Sequence, residues 1–100
     1  MFGQILATIS LVTFNWTHSG GMDGFRLHYG TTSGAYVGFV EVTNYTETNG
    51  AYTANISIDL DVVKFVVFRS YNNWGESSDS NEVRIGPPTP PGTLTAAPAN

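Results

Sequence analysis

Two histidines, eight carboxylates and four basic side chains are the whole titratable inventory of this 100-residue chain apart from its five tyrosines and its termini. His18 and His28 flank Asp23, so a metal site, or a base oriented by an acid, is the first arrangement to weigh. A catalytic zinc takes three protein ligands and a hydrolase also needs a positioned nucleophile; neither set is complete, and the histidines read as solvated side chains at strand surfaces. Asp59, Asp61, Glu76, Asp79 and Glu82 gather in or near loops, where calcium takes its oxygen ligands. They form no D-x-[DN]-x-[DN]-G run and read as ordinary loop charges. No phosphate-cradling G-x-x-x-x-G-K-[ST] loop is present. The sequons at Asn15, Asn44 and Asn55 are matches that an Asn-, Ser- and Thr-rich chain produces by chance, and carry no assigned function. The expectation is therefore a protein that is not an enzyme and takes no cofactor or metal.

Composition narrows the partners. A net charge of −4, with only 12% charged residues and Lys64 as the single lysine, gives no general attraction for phosphate backbones and argues against nucleic acid. No stretch approaches the ~20 apolar residues that span a bilayer, so no membrane is expected. The amino-terminal MFGQILATISLVTF has no positive residue, and Thr8, Ser10 and Thr13 break its apolar run; it reads as strand rather than export signal. With no cysteine, neither disulfides nor thiolate metal sites hold the chain. At 41% apolar residues, one domain with one core is expected.

The elements that must position these residues are organised around Val62–Tyr71, VVKFVVFRSY. Its β-branched and aromatic side chains favour strand, and apolarity on both faces implies a central strand or one whose outer face meets a partner. Before it lie a weakly patterned strand at Gln4–Ser10, then Leu11–His18 with Val12, Phe14 and Trp16 on one face. A third strand carries Phe25, Leu27 and Tyr29 on one side and Arg26 and His28 on the other. Tyr36–Val42 reads as an edge strand, Asn44–Gly50 as a loop closed by the turn pair Asn49-Gly50, and Tyr52, Ala54, Ile56 and Ile58 as an inward face. Asn72–Ser80 is a polar loop holding Trp74, and Asn81–Ile85 the last strand. Seven short strands without a helical period indicate a seven-stranded antiparallel β-sandwich over residues 1–86. Residues 87–100, uncharged and carrying all five prolines, read as an extended arm or linker.

Three motifs point to a family. Val12–Trp16 is V-x-F-x-W; Gly24–Gly30 reads GFRLHYG; Ser70–Ser77 reads SYNNWGES, followed by Ser80-Asn81-Glu82-Val83. In this order and spacing, over residues 5–86, they resemble an immunoglobulin-like fibronectin type III domain of bacterial or phage type. The resemblance implies one sheet holding the amino-terminal, Leu11 and Tyr52 strands. The other would hold those of Phe25, Tyr36, Val66 and Val83, with Trp16 as the core tryptophan. The family's corner tyrosine falls at Lys64, which cannot supply a phenolic hydroxyl, and a small residue is usual where Trp74 stands. No RGD triplet of the adhesive members is present.

If Val66, Phe68 and Ser70 point inward, Phe65, Val67, Arg69 and Tyr71 point outward, beside Arg26 and His28 on one neighbouring strand and Arg84 on the other. An apolar stripe fringed by arginine has the composition of a protein-binding face, unless a loop or the arm folds over it. Trp74 and the arm prolines Pro87, Pro88, Pro90 and Pro91 complete the candidate contacts. The expectation is a non-catalytic structural module that binds other protein subunits in an assembly, as a capsid decoration (cement) or tail-associated protein of a phage virion. The alternative is a spacer or polysaccharide-binding domain of a larger secreted glycoside-degrading enzyme or adhesin at the cell surface.

Overall fold

The computed structural model describes residues 9–87 and 91–99. Among them the secondary structure is all β, in two antiparallel sheets arranged as a sandwich. The strands are β1 (Ile9–Thr17), β2 (Gly24–Gly30), β3 (Gly38–Val42), β4 (Thr46–Thr48), β5 (Ala51–Asp59), β6 (Lys64–Asn72), β7 (Gly75–Glu76) and β8 (Val83–Ile85). One sheet has the order β1-β5-β4; the other runs β3-β2-β6-β7, with β8 also paired to β6. No helix is long and apolar enough to cross a membrane.

The eight strands differ from the seven expected in an instructive way. Residues 4–8 of the expected first strand lie outside the described residues, and Ile9-Ser10 belong to β1. Two short strands come from segments read as loops. Asn49 (φ 52°) and Gly50 (φ 84°) both take the left-handed conformation that a tight hairpin needs, which places Thr46–Thr48 opposite Ala51–Thr53. Likewise, the Trp74 N–H donates to Asn72 Oδ1 at 2.8 Å and turns the chain so that Gly75 and Glu76 pair back on β6. Neither TET nor GE has an apolar alternation to announce it.

β6 is central, as its two-faced apolarity requires, with β2 on one side and β7 and β8 on the other. The core is formed by Phe25, Leu27, Val42, Ala54, Ile58 and Val66, with Phe14, Trp16, Tyr45, Tyr52 and Phe68 packed against it. Trp16 stands at the hub of the aromatic contacts: its ring centroid is 4.6 Å from Phe68, 5.3 Å from Phe25 and 5.6 Å from Tyr52, on which it stacks. It is half-buried rather than enclosed, because β1 has a sheet neighbour on one side only among the described residues. At the opposite end, Lys64 is held in an ion pair. Lys64 Nζ donates to Asp61 Oδ1 at 3.0 Å, and Asp61 also caps the Val62 N–H at 2.8 Å. These contacts, the lysine's first, hold the Asp61 carboxyl below its ordinary range.

Candidate protein-binding face

The outer face of the larger sheet is assembled by register. β2 opposes β6 with Arg26 beside Arg69, His28 beside Val67, Gly24 beside Tyr71 and Gly30 beside Phe65; on the far side Arg84 stands beside Phe65. Strand alternation thus brings Phe65, Val67, Arg69, Tyr71, Arg26, His28 and Arg84 together on one face. What the sequence reading missed is the set of acids that meets them.

Glu76, delivered by β7, is the hub. Its Oε1 accepts from Arg69 Nη1 at 3.0 Å; its Oε2 accepts from Arg26 Nη1 at 3.1 Å and lies 3.1 Å from His28 Nε2. Arg69 Nε donates to Asp79 Oδ1 at 2.6 Å, and Arg26 Nε to Glu41 Oε1 at 3.3 Å. The Tyr71 hydroxyl donates to the other Glu41 oxygen. The Tyr71 ring lies over Gly24, where a Cβ would meet its hydroxyl at 2.6 Å, and the Arg26 guanidinium sits 4.0 Å from its centroid. Two arginines against the three carboxylates Glu41, Glu76 and Asp79 leave a net −1 with His28 neutral, so this part of the face is neutralised rather than basic.

The Arg69 guanidinium foremost, with Arg26 and His28, holds the Glu76 carboxyl down to about 2. Because this folded-state value lies below the ordinary 4.5, Glu76 contributes stability that is complete above that pH and is lost as pH falls towards 2. Glu76→Gln is therefore expected to melt below the native chain at pH 7, with the gap in Tm narrowing steadily between pH 5 and 2; a gap independent of pH would contradict the network.

The other half of the face is covered. Ser33 Oγ donates to Glu82 Oε2 at 2.6 Å, the Gly34 N–H to Glu82 Oε1 at 2.9 Å, and the Tyr36 hydroxyl to the same carboxylate. Glu82 immediately precedes Val83, the partner of Val66, so it stands beyond β6. The β2–β3 connection starts over β2, where a Cβ on Gly30 would lie 1.9 Å from the Ala35 carbonyl oxygen. To reach Glu82 from there, Tyr36 must cross β6 at the level of Phe65 and Val67. Val67 is accordingly only 1% exposed. It is a covered residue, not the exposed contact expected from alternation alone. Hydrogen bonding to Glu82 pushes the Tyr36 hydroxyl up to about 12, while Ser33 first, then Tyr36 and the Gly34 N–H, lower the Glu82 carboxyl.

The remaining site residues lie elsewhere. Trp74 sits at the tip of the β6–β7 hairpin and is 95% exposed. Of the arm, Pro87 and Pro91 are exposed, and residues 91–99 are exposed throughout; Pro88 and Pro90 lie outside the described residues. The two histidines are not brought together: His18 packs edge-on to the core residue Phe25 at 5.4 Å, whereas His28 faces Glu76 on the opposite side of the sheet. Among the described residues no group of three or more His, Asp or Glu is placed to hold a metal ion. Beside β1, a cleft of about 250 Å³ is lined by Trp16, His18 and Phe68 together with Ser77, Asp79 and Ser80. Trp16 Nε1 and His18 Nε2 are buried without a hydrogen-bond partner among the described residues.

Set against models of known protein families, curated proteins and solved structures, the chain matches none.

Proposed function

We propose that this chain is a non-catalytic module of fibronectin type III-like, immunoglobulin-like type that binds other protein subunits in an assembly. A capsid or tail decoration of a phage virion is the setting that suits a small acidic sandwich with an uncharged arm. The observation that carries this reading is Trp74. Its turn is fixed through its backbone by the Asn72 side chain, and its indole is 95% exposed, so a large aromatic stands clear of the sandwich where a partner can bury it. Phe39, 53% exposed on the edge strand, offers a second apolar contact, whereas the charged side chains between them are engaged with one another.

Trp74→Ala is expected to leave Tm within about 1 °C of the native value, as a surface change should. It should also reduce co-sedimentation with particles from the native source by at least ~30-fold, the loss of one aromatic anchor. Fixed-stoichiometry binding that ignores Trp74 would contradict the reading.

The second reading, a polysaccharide-binding or spacer domain of a larger secreted enzyme, draws on the cleft beside Trp16, whose serine hydroxyls next to an aromatic ring are a lining that suits a sugar. It predicts that soluble polysaccharide shifts the indole resonance of Trp16; protein-subunit binding leaves that resonance unmoved.

A further inference from the structure

The end of the sandwich that carries Trp74 bears charge of one sign. The connections 18–23 and 43–50 meet the β6–β7 hairpin there: the His18 N–H donates to the Gly50 carbonyl at 3.0 Å and the Asp23 N–H to the Tyr71 carbonyl at 2.8 Å. A cleft of about 240 Å³ is lined by Gly21 and Met22 from the first connection and by Tyr71, Trp74 and Glu76 from the hairpin. The two connections supply Asp23 and Glu47, and the hairpin Glu76; none of the three supplies a lysine or arginine. Arg26 and Arg69 are held by acids on the sheet face, Lys64 by Asp61, and Arg84 stands opposite Phe65 towards the other end. Residues 1–8, 88–90 and 100 bring no charged side chain that could alter this balance.

The molecule itself shows what an aromatic ring and an acid hold in this setting. The Arg26 guanidinium sits 4.0 Å from the centroid of Tyr71, which lines the same cleft, while its Nε donates to Glu41 at 3.3 Å. Trp74 and Asp23 repeat this combination of ring and acid at the cleft without a cation. The indole is almost fully exposed, and the Asp23 carboxylate is exposed and enters no ion pair among the described residues. We propose that this end receives an arginine of the protein partner, its guanidinium stacked on the Trp74 indole and paired with Asp23.

Arginine suits the site better than lysine. Its planar guanidinium stacks on a ring while its edge still donates to a carboxylate, and it sheds water more readily than an ammonium. An apolar partner pocket suits it less, because closing such a pocket over Trp74 would take the neighbouring Asp23 out of water with no charge to meet it. This inference rests on the assembly reading above and gives the partner's surface a sign, basic where this end of the chain is acidic.

The test is co-sedimentation with particles from the native source at about 0.05 M and about 0.5 M salt, with short peptides as competitors. Binding of the native chain should weaken at least about tenfold across that range. Asp23→Asn keeps the side chain's shape and the backbone bond to Tyr71; it should weaken binding about tenfold at low salt and flatten the salt dependence, with Tm within about 1 °C of native. Should that variant melt early, the salt dependence and the competition, both read on the native chain, decide the matter. Tetra-arginine should displace the chain at lower concentration than tetra-lysine, and tetra-glutamate should not displace it. Displacement by tetra-glutamate, or by tetra-lysine as readily as by tetra-arginine, overturns the inference. Binding that needs Trp74 but ignores both salt and Asp23→Asn also overturns it and leaves the proposed function standing, whereas binding that ignores Trp74 overturns the proposed function and this inference with it.

Discussion

Phe25→Ala is expected to lower the free energy of unfolding by about 3–5 kcal/mol, most of what a domain of this size has to spare. Phe25 is 2% exposed and touches four other rings: Trp16 at 5.3 Å, Tyr52 at 5.0 Å, Tyr45 at 5.6 Å and His18 at 5.4 Å between ring centroids. Removing it leaves a cavity between the two sheets that rings held by strand backbone cannot collapse to fill. Phe25→Leu retains most of the volume and should cost less than about 1.5 kcal/mol. Urea denaturation monitored by tryptophan fluorescence separates the two, since Trp16 reports directly on this contact. A Phe25→Ala chain within 1 kcal/mol of native, on the order of an ordinary surface change, would mean that the sheets do not pack as described.

Gly30→Ala is expected to be the most damaging glycine-to-alanine change among the described residues, at about 1–3 kcal/mol. The added carbon would lie 1.9 Å from the Ala35 carbonyl oxygen and 3.0 Å from its carbon, both backbone, so no side chain can swing aside. Either β2 shifts or the β2–β3 connection lifts from the sheet, and the connection, tied down through Glu82, is the weaker partner. Lifting it frees the Tyr36 hydroxyl, whose titration should fall from about 12 back towards the ordinary 10. It also uncovers Val67, which should raise the binding of a hydrophobic dye. An alanine variant that melts with the native chain and titrates its tyrosines alike would show that the connection does not lie on this face.

How far this molecule can be read from its sequence follows from the range of the contacts involved. β6 was legible because valine and phenylalanine on both faces of one strand admit few places other than the centre of a sheet. β1, β2 and β5 were legible because their apolar residues alternate. The Asn49-Gly50 turn was legible as well, although the three-residue strand it pairs was not. The gathering of Arg26, His28, Arg69 and Tyr71 on one face followed from parity alone. The acids did not, because Glu41 reaches Arg26 through the β2–β3 register and Glu76 arrives on a two-residue strand without any pattern. Opposite charges at Arg26 and Glu41 were the one available hint, as a favourable cross-strand pair. The cover over Val67 was least legible of all, since it depends on Tyr36 meeting Glu82 across 46 positions of chain.

Arg26, Arg69 and the acids of the sheet face are thus engaged with one another, and Val67 beside them is buried. What is left for partners among the described residues is the rim, with Trp74 at one hairpin tip, and the arm. Hydrogen exchange on the protein bound to its particles, compared with the unbound chain, tests this most directly. The account predicts slowed exchange at the amides of the Trp74 hairpin, Asn72 to Glu76, with the outer wall of β6 unchanged. Unaltered exchange at that hairpin, with new protection on the Phe65–Tyr71 side instead, would contradict it.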